Sequence, residues 1–277
     1  MALISIILGL ILDRHWKAIQ ALKQFHWFEQ VTQSVLKAVE PHINLPAARY
    51  LLVLAVPVLP VLILQSFSDD WMLIFSVLFA LVVFLMCLGS LDIEQTIEKL
   101  IDALTENNHD EAQRLINELS ETENPPADQQ LDEVIQSLLR QLTEKLFSVI
   151  FWFTVLGPVG AVIYRFSHEL LKNQQANPVL QHYCERMITL LNWLPERCLA
   201  LSFAMTGHFE GAHAAYNENK ETDSNQKHLL LDVTHGALDG NDRESMAQYL
   251  AVFRGMILRS LIIWLTVIAL VALIGWS

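Results

Sequence analysis

The sequence predicts an all-α, polytopic integral membrane protein with four to five transmembrane helices, re-entrant or broken helices and a cytoplasmic helical subdomain. Three observations predict it. Four apolar runs are long enough to cross about 30 Å of hydrocarbon at 1.5 Å per residue. Hydrophobic residues make up 53% of the 277, and charged residues only 17%, against about 25% in a soluble domain. Between the apolar runs lie acidic segments whose apolar residues recur at helical spacing.

The four runs are Tyr50–Phe67, Trp71–Gly89, Leu146–Tyr164 and Met256–Trp276. Pro57 and Pro60 in the first would break a soluble helix, but neighbouring helices in a bundle satisfy the freed carbonyls. Only Ser68-Asp69-Asp70 separates the first two runs, so they read as a tight hairpin. Trp71, Tyr164 and Trp276 fall at helix ends, where an interfacial aromatic belt would put them. The N-terminal run Ala2–Leu12 is too short to span at roughly 15 Å. It also lacks the basic region and cleavage site of a signal peptide. It reads as a half-helix that dips into the membrane or packs on the bundle. Met187–Thr206 is apolar but carries Pro195-Glu196-Arg197 at its centre. It reads either as a broken or re-entrant helix lining a cavity or as an interfacial amphipathic helix.

Residues 13–49 hold five basic residues against three acids and abut the first full run, which places them in the cytoplasm by the positive-inside rule. The hairpin then returns residues 91–145 to the same side. With four spans the segment Arg165–Arg254 is periplasmic; if Met187–Thr206 also crosses, its second half is cytoplasmic. The expected organisation is one membrane domain over 1–277. It comprises an N-terminal half-helix and basic segment (1–49), a transmembrane hairpin (50–89) and an acidic helical subdomain (91–145). A motif-bearing span (146–164), a soluble or re-entrant region (165–255) and a C-terminal span (256–276) follow.

The acidic subdomain carries fourteen acids and four basic residues, most of the chain's net charge of −12. That charge argues against nucleic acid, since no basic cluster could neutralise phosphates. Ser90 or Asp92 can cap a first helix with Ile93, Ile97, Leu100, Ile101 and Leu104 on one face. Asn107-Asn108 turns the chain into a second, with Ala112, Leu115, Ile116 and Leu119. Asn124-Pro125-Pro126 breaks it. A third helix, with Leu131, Val134, Ile135, Leu138 and Leu139, runs on into Leu146.

Two motifs then stand out: Gly157-Pro158-x-Gly160-Ala161-x-x-Tyr164-Arg165, and Leu194-Pro195-x-Arg197 followed by a small-residue helix to Gly207. In this order and context the chain resembles the AmpE family, inner-membrane proteins associated with induction of chromosomal β-lactamase, within the CobD/CbiB superfamily of cobalamin-pathway membrane proteins. The resemblance also takes in Leu12-Asp13-Arg14 and covers nearly the whole chain. It implies a multi-pass protein of the bacterial inner membrane that modulates signalling of cell-wall status to β-lactamase induction. The superfamily's enzymes, which join an aminopropanol unit to a corrinoid carboxylate, carry an ESxxEN-type acidic motif before the GP motif. Here the stretch is Arg140-Gln141-Leu142-Thr143-Glu144-Lys145, and only Glu144 survives. A membrane-embedded enzyme with ligase-like chemistry is the alternative reading. The only cofactor implied, by superfamily resemblance alone, is a nucleotide with Mg²⁺, and no GxxxxGK[ST] phosphate loop occurs to support it.

The ligand-binding cavity expected from these motifs comprises Asp13, Arg14, Glu144, Gly157, Pro158, Gly160, Arg165, Pro195, Glu196 and Arg197. Gly157, Pro158 and Gly160 would kink the helix that presents Arg165, with close helix packing as the structural alternative. Glu196 and Arg197 pair either to neutralise an embedded break or to line a pocket. No catalytic residue is identified, and no metal site: His208 and His213 stand five apart, the wrong spacing for one helical face. The expected partners are the lipid bilayer, an anionic small molecule such as a muropeptide or nucleotide, and a second copy of the chain. A transporter is disfavoured, because four or five spans without inverted repeats make a thin pathway.

Overall fold

A computed structural model describes residues 2–15, 26–39, 45–67, 73–89, 93–120, 125–172, 178–221, 229–238 and 245–274. The expected turn at Ser68-Asp69-Asp70, the aromatic anchors Trp71 and Trp276, the caps Ser90 and Asp92, and Asn124 lie outside them. Among the described residues every regular element is a helix. In chain order these are α1 (Ala2–His15), α2 (His26–Val39), α3 (Pro46–Ser66), α4 (Leu73–Cys87), α5 (Ile93–Thr105), α6 (His109–Leu119) and α7 (Gln130–Leu142). A π-helical turn (Thr143–Phe147) leads into α8 (Ser148–Leu156). Then come α9 (Pro158–Lys172), α10 (Pro178–Thr206), α11 (Phe209–Glu221), α12 (Leu229–Leu238) and α13 (Met246–Leu273). The chain divides into two compact units, the first of residues 1–90, 145–194 and 268–277, the second of residues 91–144 and 195–267.

Among the described residues two helices, α3 and α13, are long and apolar enough to cross a membrane. Pro46 opens α3, where its missing N–H and fixed φ suit the first helical position; Pro57 and Pro60 sit inside it without ending it. Leu51, Leu59 and Ile63 on α3 and Ile262, Val267 and Leu270 on α13 are exposed. In water so much apolar surface would drive aggregation, whereas beside lipid tails it costs nothing. Helix α4 is also apolar and carries exposed Ile74, Phe75 and Leu78, but its described length is 15 residues.

In the first unit α1 packs lengthwise on α4. Ser5 Oγ donates to the Val77 carbonyl at 3.4 Å, and a Cβ on Gly9 would stand 2.5 Å from the Phe84 ring. The half-helix therefore packs on the bundle, one of its two expected readings.

The third apolar run is not a straight span. Helix α8 ends at Gly157, whose φ of 69° lies in the left-handed region that only glycine enters freely, and Pro158 restarts the chain as α9. The two helices fold against each other. Gly160 abuts the Trp152 carbonyl so closely that a Cβ there would collide with it. Ser148 Oγ and Tyr164 OH both donate to Asn192 Oδ1, at 3.0 and 2.8 Å, although a straight helix would hold them roughly 24 Å apart. Tyr164 is fully buried in this contact, so the interfacial aromatic anchor expected at this position is instead an interior hydrogen-bond donor.

The expected break at Pro195 is also relocated. Helix α10 runs unbroken for 29 residues with Pro195 inside it. Proline removes the donor that would serve the carbonyl of Leu191, and Trp152 Nε1 supplies one instead at 3.1 Å. The interruption in this part of the chain falls at Gly157.

In the second unit the acidic subdomain folds as its periodicity indicates. Ile93, Ile97 and Leu100 of α5, Ala112, Leu115, Ile116 and Leu119 of α6, and Val134, Ile135, Leu138 and Leu139 of α7 are buried. Asn107 takes φ 57°, a conformation asparagine tolerates. Asn108 caps α6 by accepting from the Glu111 N–H at 3.3 Å. Helices α11 and α12 cross with backbone in contact: Gly211 and Gly236 each leave no room for a Cβ on the other. His208 N donates to the Ala237 carbonyl at 2.7 Å.

Candidate functional site

Several of the expected site residues of the first unit approach the C-terminal end of α4. The parallel run of α1 brings Asp13, one turn beyond Gly9, level with that end, and Asp13 is buried. The side chain of Arg14 lies outside the described residues. Gly89, just past α4, donates its N–H to the Lys145 carbonyl at 3.1 Å. A Cβ on Gly89 would stand 2.5 Å from Lys145 Cβ, so only glycine lets α4 meet the π turn there. Such turns leave backbone groups unmatched and recur at functional sites.

Arg165 reaches the same region from α9, within electrostatic range of Cys87. Its side chain, 11% exposed, pairs with Glu169 at 2.8 Å, and Lys172 approaches the same carboxylate at 3.9 Å. At that depth the pair is shielded from solvent, and removing one partner would strand the other. Beside it, Ser167 donates to the Ile163 carbonyl at 2.6 Å, so Tyr50 OH donates to Ser167 Oγ at 2.5 Å. Phe28 of α2 packs edge-on to Phe166 with ring centroids 4.6 Å apart. The turn of α9 that carries Arg165 is thus packed on α2 through Phe166 and on α3 through Ser167, while Arg165 itself pairs within its own helix.

Gly157, Pro158 and Gly160 are placed at the other end of α9, roughly 10 Å along it from Arg165. They make the fold-back rather than line the polar end. The tip is clasped by Gln65, from the last turn of α3. Its Nε2 donates to the Leu156 carbonyl at 3.3 Å and its Oε1 accepts from Val159 N–H at 3.0 Å. One amide therefore serves both the end of α8 and the start of α9.

In the second unit Glu196 lies within electrostatic reach of both Arg197 and Glu144, with Pro195 buried beside them. Of the expected set, Glu144 lies with Glu196 and Arg197, while Asp13 and Arg165 approach the C-terminal end of α4 from α1 and α9. Neither place includes the GP motif. For Mg²⁺-nucleotide the donor set does not fit: at the positions of the acidic motif only Glu144 remains, with Arg140 and Lys145 standing for its other acid and its Asn, and a hard cation needs oxygen ligands. Among the described residues no group of three or more His, Cys, Asp or Glu could hold a metal ion.

Four residues central to these contacts escaped the motif reading. Gln65, Asn192 and Trp152 carry the interior hydrogen bonds of the first unit. In the second, His235 of α12 accepts or donates at Nδ1 with Tyr249 OH at 2.7 Å, and its Nε2 stands 3.1 Å from Asp132 Oδ1. That second contact is close enough for an ion pair when the ring is protonated, though not aligned as a hydrogen bond. Gln65 and Asn192 did leave a signal, since each is a lone amide in an apolar run, and polar groups at membrane depth mark function or essential packing.

Comparison with known proteins gives two matches. A family model described as "Regulatory signalling modulator protein AmpE" matches residues 1–276. A curated relative from Chromobacterium violaceum, "Cobalamin biosynthesis protein CobD", is 35% identical over 82 residues, 27% of this chain and 25% of that protein. The match therefore spans about a quarter of that relative's length. No solved structure matches.

Proposed function

Since the chain belongs to the AmpE family, we propose that it is a multi-pass protein of the bacterial inner membrane that modulates signalling of cell-wall status to β-lactamase induction. The family match over residues 1–276 carries this reading. The exposed apolar faces of α3, α4 and α13 support the membrane setting. In this reading residues 91–145 are cytoplasmic, and the buried Asp13 and the half-buried Arg165 belong to a site for an anionic small molecule such as a muropeptide or nucleotide. Arg165 is suited to that role because its guanidinium offers a planar fork of donors to an anion. Arg197, beside Glu144 and Glu196, is the cation of a second polar group that tunes the response.

The test is inducible β-lactamase in a strain lacking the native chain and complemented with variants. Arg165→Ala should abolish induction with the chain still present in the membrane, and Arg165→Lys should restore it only in part. Unchanged induction after removal of the whole chain would sink the signalling role. Full activity of Arg165→Lys would reduce Arg165 to a charge anchor.

The partial likeness to the cobalamin protein supports a second reading, a membrane-embedded enzyme with ligase-like chemistry around Glu144 and Glu196. The cations Arg140 and Lys145 weigh against it.

A further inference from the structure

The contacts within each unit constrain how the chain threads the membrane. In the second unit, segments far apart in sequence meet through charged and polar side chains. Arg254, near the start of α13, reaches Glu94 at 3.0 Å and Glu98 at 3.4 Å on α5. His235 of α12 reaches Asp132 of α7 at 3.1 Å. Tyr249 of α13 holds the other face of the same imidazole at 2.7 Å. Asp132 is more than half exposed and Glu98 likewise, so these pairs form at a water-facing surface. Charged groups cannot meet through hydrocarbon, and α5–α7 must share a side of the membrane with α11, α12 and the first turns of α13.

The number of crossings between Lys145 and Phe209 is therefore even. Within the first unit the fold-back at Gly157 already returns the chain. Ser148 and Tyr164 share one acceptor on Asn192, and Gly160 lies against Trp152. A run of nineteen apolar residues that would pass for a span by length is instead folded back on itself as parts of two helices. Lipid-exposed irregular backbone is not tolerated at depth unless its polar groups are met, and the Gln65 amide meets those of the tip.

We infer that α8 and α9 form a re-entrant hairpin, that the chain makes no net crossing between Lys145 and Phe209, and that α13 then crosses once, leaving the C-terminal end opposite α5–α7. All of the soluble helices of the second unit then face one compartment. A soluble partner or ligand of that unit is met from that side alone. The inference rests on the membrane setting proposed above and on contacts inside the two units, and it holds whatever the signalling role.

The test uses four single substitutions at exposed positions of the full chain, Asn108→Cys, Lys172→Cys, Asn217→Cys and Ile274→Cys. Each is probed with a membrane-impermeant maleimide in spheroplasts and in inside-out vesicles. The unsubstituted chain is the blank, since Cys87 and Cys184 are buried and Cys198 half-buried. The first three should label in one preparation and Ile274→Cys in the other, each with at least a several-fold preference. Labelling of Lys172→Cys from the side opposite Asn108→Cys would make α8–α9 a true span and overturn the hairpin. Labelling of Asn217→Cys from the side opposite Asn108→Cys would overturn the shared compartment. Labelling of Ile274→Cys alongside Asn108→Cys would remove the single crossing by α13.

Discussion

Trp152 donates its indole N–H to the carbonyl of Leu191 at 3.1 Å, the carbonyl that Pro195 leaves without a partner in its own helix. A tryptophan on α8 thereby allows a proline inside α10. Replacing Trp152 with Phe should cost about 1–3 kcal/mol, the penalty of an orphaned buried acceptor. In a Pro195→Ala background the new amide can serve Leu191, and the same Trp152→Phe change should cost clearly less. Unfolding of the four chains in detergent measures the coupling. Equal cost in both backgrounds would show that the indole is packing rather than bonding.

The tip of the hairpin makes a graded prediction. Gln65→Leu removes both hydrogen bonds of the clasp and should destabilise by about 1–3 kcal/mol. Gln65→Glu keeps an acceptor for the Val159 N–H but loses the donor to the Leu156 carbonyl, so it should fall between. Gly157→Ala should cost about 1–3 kcal/mol, because φ 69° with ψ −157° is a backbone region that glycine alone enters, and more because its Cβ would stand 3.0 Å from Gln65 Nε2. Thermal denaturation in detergent ranks the three. A Gln65→Leu chain as stable as the original would rule out the clasp.

Three glycines in the second unit should answer alanine with opposite signs. At Gly211 and Gly236 a methyl would collide with the facing backbone carbonyl, so Ala should cost about 1–3 kcal/mol at either site. Gly255, inside α13, has nothing within 4 Å of such a methyl. There Ala should stabilise by about 0.5–1 kcal/mol, because it restricts the unfolded chain and suits a helix. Apparent melting temperatures would separate the two cases, and a loss at Gly255 would contradict the open space beside it.

The departures at Arg140 and Lys145 make a prediction about chemistry. The chain should not rescue growth of a strain lacking the cobinamide-forming enzyme on a corrinoid precursor, even when its presence in the membrane is confirmed by immunoblot. Rescue would mean that Glu144 and Glu196 suffice for the ligase reaction.

How far the sequence led differs between the two units. In α5–α7 the apolar stripes and the Asn108 cap are local signals, set by residues three and four apart, and the helices follow them. The polar ends of α1 and α9 were also legible, because Asp13 and Arg165 are charges next to apolar runs. The fold-back at Gly157 was not, since Leu146–Tyr164 has the length and composition of a span. What turns it is a pair of long-range contacts, Gly160 against Trp152 and Tyr164 with Asn192, that no local pattern contains. Pro195 misled in the opposite direction, as the donor that rescues its helix lies 39 residues in sequence from the Leu191 carbonyl it serves. Tyr164 looked like an interfacial anchor because its partner Asn192 lies in another helix.

The Gln65 clasp also sets an order of events during biogenesis. Chain emerges from the ribosome N-terminus first, so α3 can enter the bilayer while the tip, about ninety residues later in the sequence, is still untranslated. When Gly157 and Pro158 arrive, the amide that satisfies their flanking helix ends is already in place on α3. Were the clasp supplied from a later helix, the tip would have to wait with bare backbone groups in lipid, a state costing several kcal/mol per group. Placing the acceptor and donor upstream lets a non-spanning hairpin be inserted in one pass, without a holding step.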